Sequence, residues 1–155
     1  MCQTGRQPIL VAAKRRVLSA AVVLYGAVYD ADWKPHPLRP EPMDALIREI
    51  TCPVTAVFGE LDNLIPRDNV VRMFNVLAQA KKSFDIRMYA DAPHGFLNDT
   101  MPGRYRPAQT EAAWNQIASF LGAVFAGEWP KDRIRWRFDA DSSAEYDFTK
   151  MKRWE

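Results

Sequence analysis

His94, in the stretch Ala92-Pro93-His94-Gly95-Phe96, is one of only two histidines in a chain of 155 residues. A neutral imidazole takes a proton from a nucleophile and returns it to a leaving group near pH 7, which few side chains do unaided. Such a base needs a nucleophile on one side and an orienting carboxylate on the other. The chain offers Cys2 as the thiol and Asp62 as the carboxylate. Glu60 and Asp91 rival Asp62, each with the plainer reading of a solvated loop acid or a cap. Cys52 rivals Cys2, but it opens a strand and reads as a buried structural cysteine at the far end of the sheet. His36 lies in a proline-rich loop and reads as solvated.

Three loops and the elements behind them must bring these groups together. Residues 6–17 predict a helix with Ile9, Leu10, Ala12 and Ala13 on one face and Pro8 in its first turn. Residues 19–25 are apolar throughout, the pattern of a strand covered on both faces, and Gly26 ends it. The prolines of residues 33–42 exclude helix and central strand, and a short helix follows over 43–50. Residues 53–58 predict a second buried strand, closed by Gly59, with Asp62 on the turn beyond its carboxyl end. A helix over 67–80 turns Val70, Phe74, Leu77 and Ala78 inward. Phe84, Ile86 and Met88 alternate with Asp85, Arg87 and Tyr89, which predicts a third strand with one wetter face. His94 lies on the loop beyond it.

A helix over 108–125 buries Ala113, Ile117, Phe120, Leu121 and Val124. Ile134, Trp136 and Phe138 then alternate with Arg133, Arg135 and Arg137, an edge-strand pattern with a basic outer row. Strands alternating with amphipathic helices predict an α/β fold with a mainly parallel sheet flanked by helices. Ligands of such sheets bind at the carboxyl ends of the strands, where Asp62 and His94 both fall. Residues 1–128 form the expected domain and 129–155 a tail carrying the edge strand.

Composition narrows the function. Twenty-one basic against nineteen acidic residues leave a net charge of +2, too small to argue for nucleic acid or a membrane surface as partner. The arginine row is offset by nearby Asp132, Asp139, Asp141, Glu145 and Asp147. No apolar run approaches membrane-spanning length, and the start of the chain lacks the order of a signal peptide, so a cytoplasmic protein is expected. Two cysteines fifty positions apart read as thiols, and the sequence shows no zinc-ligand spacing. Trp33 and Trp114 read as core or pocket rim.

Cys2-Gln3-Thr4-Gly5-Arg6 before a helix, Phe58-Gly59-Glu60-Leu61-Asp62, and Tyr89-Ala90-Asp91-Ala92-Pro93-His94-Gly95-Phe96 together resemble the dienelactone hydrolase family of α/β hydrolases. The nucleophile, aspartate and histidine stand in that family's chain order. The resemblance runs from Cys2 to about Phe125, and Tyr146-Asp147-Phe148-Thr149-Lys150-Met151 looks like the end of some relatives. It implies a hydrolase of a lactone or carboxylic ester, of the dienelactone or carboxymethylenebutenolide type. Cys2 would be the nucleophile, His94 the base and Asp62 its orienting partner, working through an acyl-thioester. The backbone N–H of Gln3 would serve the oxyanion and Arg104 a substrate carboxylate; neither a metal nor an organic cofactor is implied. A cysteine beside histidine and at a helix amino end can have its pKa lowered into the range of ~3.5 to 7.5.

The likeness covers only the carboxyl-terminal half of such a hydrolase. Met1 precedes Cys2 and Thr4 stands where the elbow motif has a second glycine, which predicts either strain at Thr4 or a different subgroup. The strand leading into Cys2 is expected upstream of Met1. A second reading follows: a non-catalytic half-domain that is inactive as written and self-associates, or pairs with a partner chain, through an open strand edge.

Overall fold

The apolar runs expected to be strands pair side by side in a computed structural model, which describes residues 2–138. Cys2–Gly5 form a 3-10 turn that runs into helix α1 (Arg6–Lys14), followed by strand β1 (Ala21–Leu24) and a second 3-10 turn over Asp30–Trp33. Helix α2 (Met43–Glu49), strand β2 (Val54–Gly59), helix α3 (Arg67–Gln79) and strand β3 (Phe84–Tyr89) come next. Helix α4 (Pro107–Phe125) and strand β4 (Ile134–Phe138) complete the order. The sheet has the order β1-β2-β3-β4 with every neighbouring pair parallel. The predicted elements are all present, with α1 three residues shorter than expected because Arg15 turns extended. The stretch 146–151 and the acidic residues from Asp139 onward lie outside the described residues.

Period-two alternation of side chains along the strands splits the core between the two faces of the sheet. Ala21, Val23, Val54, Ala56, Phe58, Phe84, Ile86 and Met88 share one buried cluster with Ile9, Leu46, Met73 and Leu77 from α1, α2 and α3. Leu24, Val57 and Tyr89 point the other way, onto Ala113 and Ile117 of α4. The inward face of α3 differs from the one expected: Met73 and Val76 are buried with Val70 and Leu77, while Phe74 and Ala78 pack at the margin. Phe74 is drawn there by the rings of Phe84 and Trp136, 5.6 and 5.5 Å away.

The wetter face expected on β3 is wet only at Arg87, which is half-buried. Asp85 and Tyr89 are buried, because long-range partners that alternation cannot reveal satisfy their polar atoms. The Tyr89 hydroxyl donates to Gln116 Oε1 of α4 at 2.8 Å, and Gln116 in turn donates to Thr55 Oγ1 at 2.9 Å. Arg137 of β4 grips both Asp85 oxygens, at 3.0 and 2.8 Å, and Arg135 stands 3.9 Å away. Two members of the arginine row thus neutralise a buried carboxylate instead of forming only a solvated fringe.

Candidate active site

Two close backbone approaches fix the loops at the carboxyl ends of the strands. A Cβ built on Gly26, just past β1, would stand 2.5 Å from the Cys2 carbonyl oxygen and 2.7 Å from the Gly5 Cα, so only glycine lets the Cys2–Gly5 turn lie against β1. A Cβ on Gly59, the last residue of β2, would stand 2.0 Å from the Ala92 carbonyl oxygen. That contact holds the loop bearing Asp62 against the loop bearing His94, and Leu61 N–H donates to the same Ala92 oxygen at 3.0 Å.

Cys2, Asp62 and His94 meet there. Cys2 Sγ lies 3.1 Å from His94 Nε2, and Asp62 Oδ2 lies 2.7 Å from His94 Nδ1. A carboxylate has no proton to give, so Nδ1 carries the hydrogen and the Nε2 lone pair faces the thiol. The other Asp62 oxygen accepts the backbone N–H groups of Leu64 at 2.9 Å and Ile65 at 3.0 Å, which leaves the carboxylate one orientation. His94 is buried and the Asp62 side chain is 0% exposed. The pKa of His94 is raised, chiefly by the hydrogen bond to Asp62, against the lowering effect of its burial.

The strain expected at Thr4 falls instead on Cys2, whose φ is 52° in the left-handed region. Thr4 is exposed on the turn. A non-glycine residue held in that region marks a site where the surroundings dictate the backbone. Gln3 follows in the same 3-10 turn. Arg104 lies on the exposed lip of a cleft of about 380 Å³ that also takes in Cys2, Tyr25, His94, Leu97 and Trp114. The cleft thus gathers Cys2, His94 and Arg104, with Asp62 behind the imidazole.

The rivals are placed elsewhere. Glu60 accepts the Asp91 backbone N–H at 3.3 Å, and Asp91 pairs with Arg106 at 3.2 Å. Cys52 is buried at the opposite end of the sheet, beside a larger cleft of about 620 Å³ that holds neither histidine. His36 is exposed. Trp33 is core, whereas Trp114 is half exposed at the cleft wall.

Two tyrosines at the site carry no sequence signal. Tyr25 stacks edge-on to His94 at 5.3 Å, and the Tyr29 ring lies 6.3 Å from it. Behind Tyr29, Asp32 is buried between Arg6 at 3.3 Å and Arg39 at 2.8 Å, and accepts the Tyr29 backbone N–H at 3.1 Å. Arg6 also reaches the Glu41 carbonyl. No helix among the described residues is long and apolar enough to cross a membrane.

Residues 1–125 match the model of the dienelactone hydrolase family. A protein of Escherichia coli O157:H7 named as a carboxymethylenebutenolidase is 34% identical over 120 residues, covering 77% of this chain and 43% of the relative. A similarly named protein of Salmonella typhimurium is 32% identical over 127 residues, 82% of this chain and 45% of the relative. Among solved structures, a dienelactone hydrolase from Klebsiella pneumoniae subsp. pneumoniae superposes with a TM-score of 0.72 at 26% identity, over 79% of this chain and 49% of that one. An α/β hydrolase from a deep-sea metagenome shares the fold, with a TM-score of 0.59 at 15% identity. The chain spans less than half the length of the curated relatives it matches.

Proposed function

The chain belongs to the dienelactone hydrolase family, and from that membership and the geometry around His94 we propose that it hydrolyses a lactone or carboxylic ester through a thioester on Cys2. The observation that carries this reading is the unbroken relay from Cys2 Sγ to His94 to Asp62, at 3.1 and 2.7 Å.

His94 Nε2 takes the Cys2 proton as the sulfur attacks the acyl carbon, and Asp62 stabilises the imidazolium that forms. The carbonyl oxygen becomes an oxyanion beside the Gln3 backbone N–H. When the tetrahedral intermediate collapses, the carbon–oxygen bond to the leaving group breaks and His94 returns the proton to that oxygen. Water then gives a proton to Nε2 and attacks the thioester; the acid departs and the proton goes back to sulfur. Arg104 at the cleft lip is suited to a substrate carboxylate, since guanidinium and carboxylate pair bidentately. The partner is thus a small molecule, and two free thiols support a reducing, cytoplasmic setting.

Replacing Cys2 or His94 by alanine tests this reading. Either change should abolish hydrolysis of an activated ester such as p-nitrophenyl acetate, and turnover that survives both would refute it.

One observation favours a second reading. β1 pairs with β2 on one side, and no strand among the described residues pairs its other side, so a second copy or partner chain could add a strand there. Sedimentation of the purified chain separates the two: an inactive self-associated species supports the second reading, an active monomer the first.

A further inference from the structure

Tyr29 follows a strained stretch, in which Tyr25 and Ala27 hold φ of 34° and 73°, and its ring stands over the same histidine that faces Cys2. Together with Cys2, Asp32, Arg39 and Leu64, it lines a second cleft of about 500 Å³ that shares Cys2 with the first and does not include Arg104. Its hydroxyl oxygen is buried and has no hydrogen-bond partner among the described residues. Buried hydroxyls are ordinarily partnered, because an unmade hydrogen bond forfeits the water it displaced. A donor held in place without an acceptor is suited to a charge that exists only during the reaction.

We propose that Tyr29 is a further catalytic group of this site, whose hydroxyl donates to the Cys2 sulfur once that sulfur has given its proton to His94. The proposal rests on Cys2 being the nucleophile. In the resting protein the thiol is hydrogen-bonded to Nε2, and the Tyr29 hydroxyl lies near enough to the sulfur to interact with it without forming a hydrogen bond of good geometry. When the proton moves to Nε2, the sulfur gains a full negative charge and becomes an acceptor for two donors, Nε2–H and Tyr29 O–H. The Tyr29 proton stays on its oxygen throughout. Burial above all, then the charge and hydrogen-bonding contact of Cys2 and the Asp62 and Asp32 charges, holds the phenol well above its usual pKa and so keeps it a donor. The titratable and charged groups facing Cys2 and Tyr29 are His94, Asp62 through His94, Tyr25, Asp32, and the Arg6 and Arg39 that neutralise Asp32. Among the two tyrosines, the unpartnered hydroxyl is that of Tyr29.

The test is the pH dependence of Cys2 alkylation by iodoacetamide, followed on the Cys2 peptide by mass spectrometry in the full chain. It needs no ester turnover, so a failure of hydrolysis would overturn the reading above without altering this result. Tyr29→Phe should raise the midpoint of thiolate formation by about one pH unit and slow alkylation at pH 6 by about tenfold, the scale of one charge-assisted hydrogen bond. Its melting temperature should not fall, since the lost hydroxyl had no partner. Replacing Tyr29 by 3-fluorotyrosine, a stronger donor of the same shape, should lower the midpoint and keeps the test decisive if the phenylalanine variant fails to fold. Midpoints equal to the wild type in the folded variants would overturn the proposal and leave Tyr29 a wall of the cleft.

Discussion

Cys2 and His94, 92 positions apart in the chain, stand 3.1 Å apart from sulfur to Nε2. Nothing local brings them together: Cys2 is held by the turn that packs on Gly26, and His94 by the loop that Gly59 admits against β2. Five expected outcomes follow from the site and its supports, and a closing measurement tests this arrangement most directly.

Asp62→Asn removes the main influence that raises the His94 pKa. The acidic limb of the rate profile belongs to the coupled Cys2–His94 pair, and it should move to lower pH. The plateau should fall by about two to four orders of magnitude, because the amide no longer fixes the tautomer or stabilises the imidazolium. Steady-state kinetics from pH 5 to 9 read both.

The same shift links to stability. His94 binds its proton more tightly in the folded protein than in the unfolded chain, whose pKa is near 6.5. That stabilisation is fully present below about 6.5 and fades as pH rises through the higher folded value. His94→Gln should therefore lower the melting temperature more at pH 5.5 than at pH 9, as calorimetry would show.

Cys52 is buried, and its burial raises its pKa. At pH 6, with the protein folded, Cys2 should react with a thiol reagent at least about tenfold faster than Cys52, since the thiolate is the nucleophile and access limits the other. Site-resolved peptide mapping distinguishes the two, and equal slow labelling would favour a non-catalytic half-domain.

Asp32→Ala leaves the buried Arg6 without its carboxylate, and Arg39 and the Tyr29 N–H without their acceptor. Removing one member of a buried ion pair costs about 3–5 kcal/mol, and the lower end is expected because the Glu41 carbonyl still accepts from Arg6. Urea unfolding should show the loss. Gly26→Ala should also destabilise the fold, by about 1–3 kcal/mol, and displace Cys2, because the new methyl meets backbone at 2.5 Å.

Where side chains follow the period of their own element, the sequence was sufficient. The apolar runs of β1 and β2 became buried strands, and the position of Asp62 and His94 at strand ends followed from the parallel α/β reading. Long-range partners were not legible. Asp85 looks like a solvent-facing strand residue until Arg137 arrives from fifty-two positions away, and Tyr89 until Gln116 does. Thr4 looked like the strained residue because motif spacing cannot say which residue absorbs the bend; the close packing of Gly5 on Gly26 leaves it to Cys2. Tyr29 sits in no motif, and its place beside the thiol depends on the turn that Asp32 holds.

The most direct test mixes the purified chain with an activated carboxylic ester and follows its intact mass through the first turnover. The expected result is an acyl adduct that maps to Cys2, is absent in Cys2→Ala, and forms far more slowly in His94→Ala. An adduct that maps elsewhere, or that forms at an unchanged rate without His94, would contradict a relay running from Cys2 through His94 to Asp62.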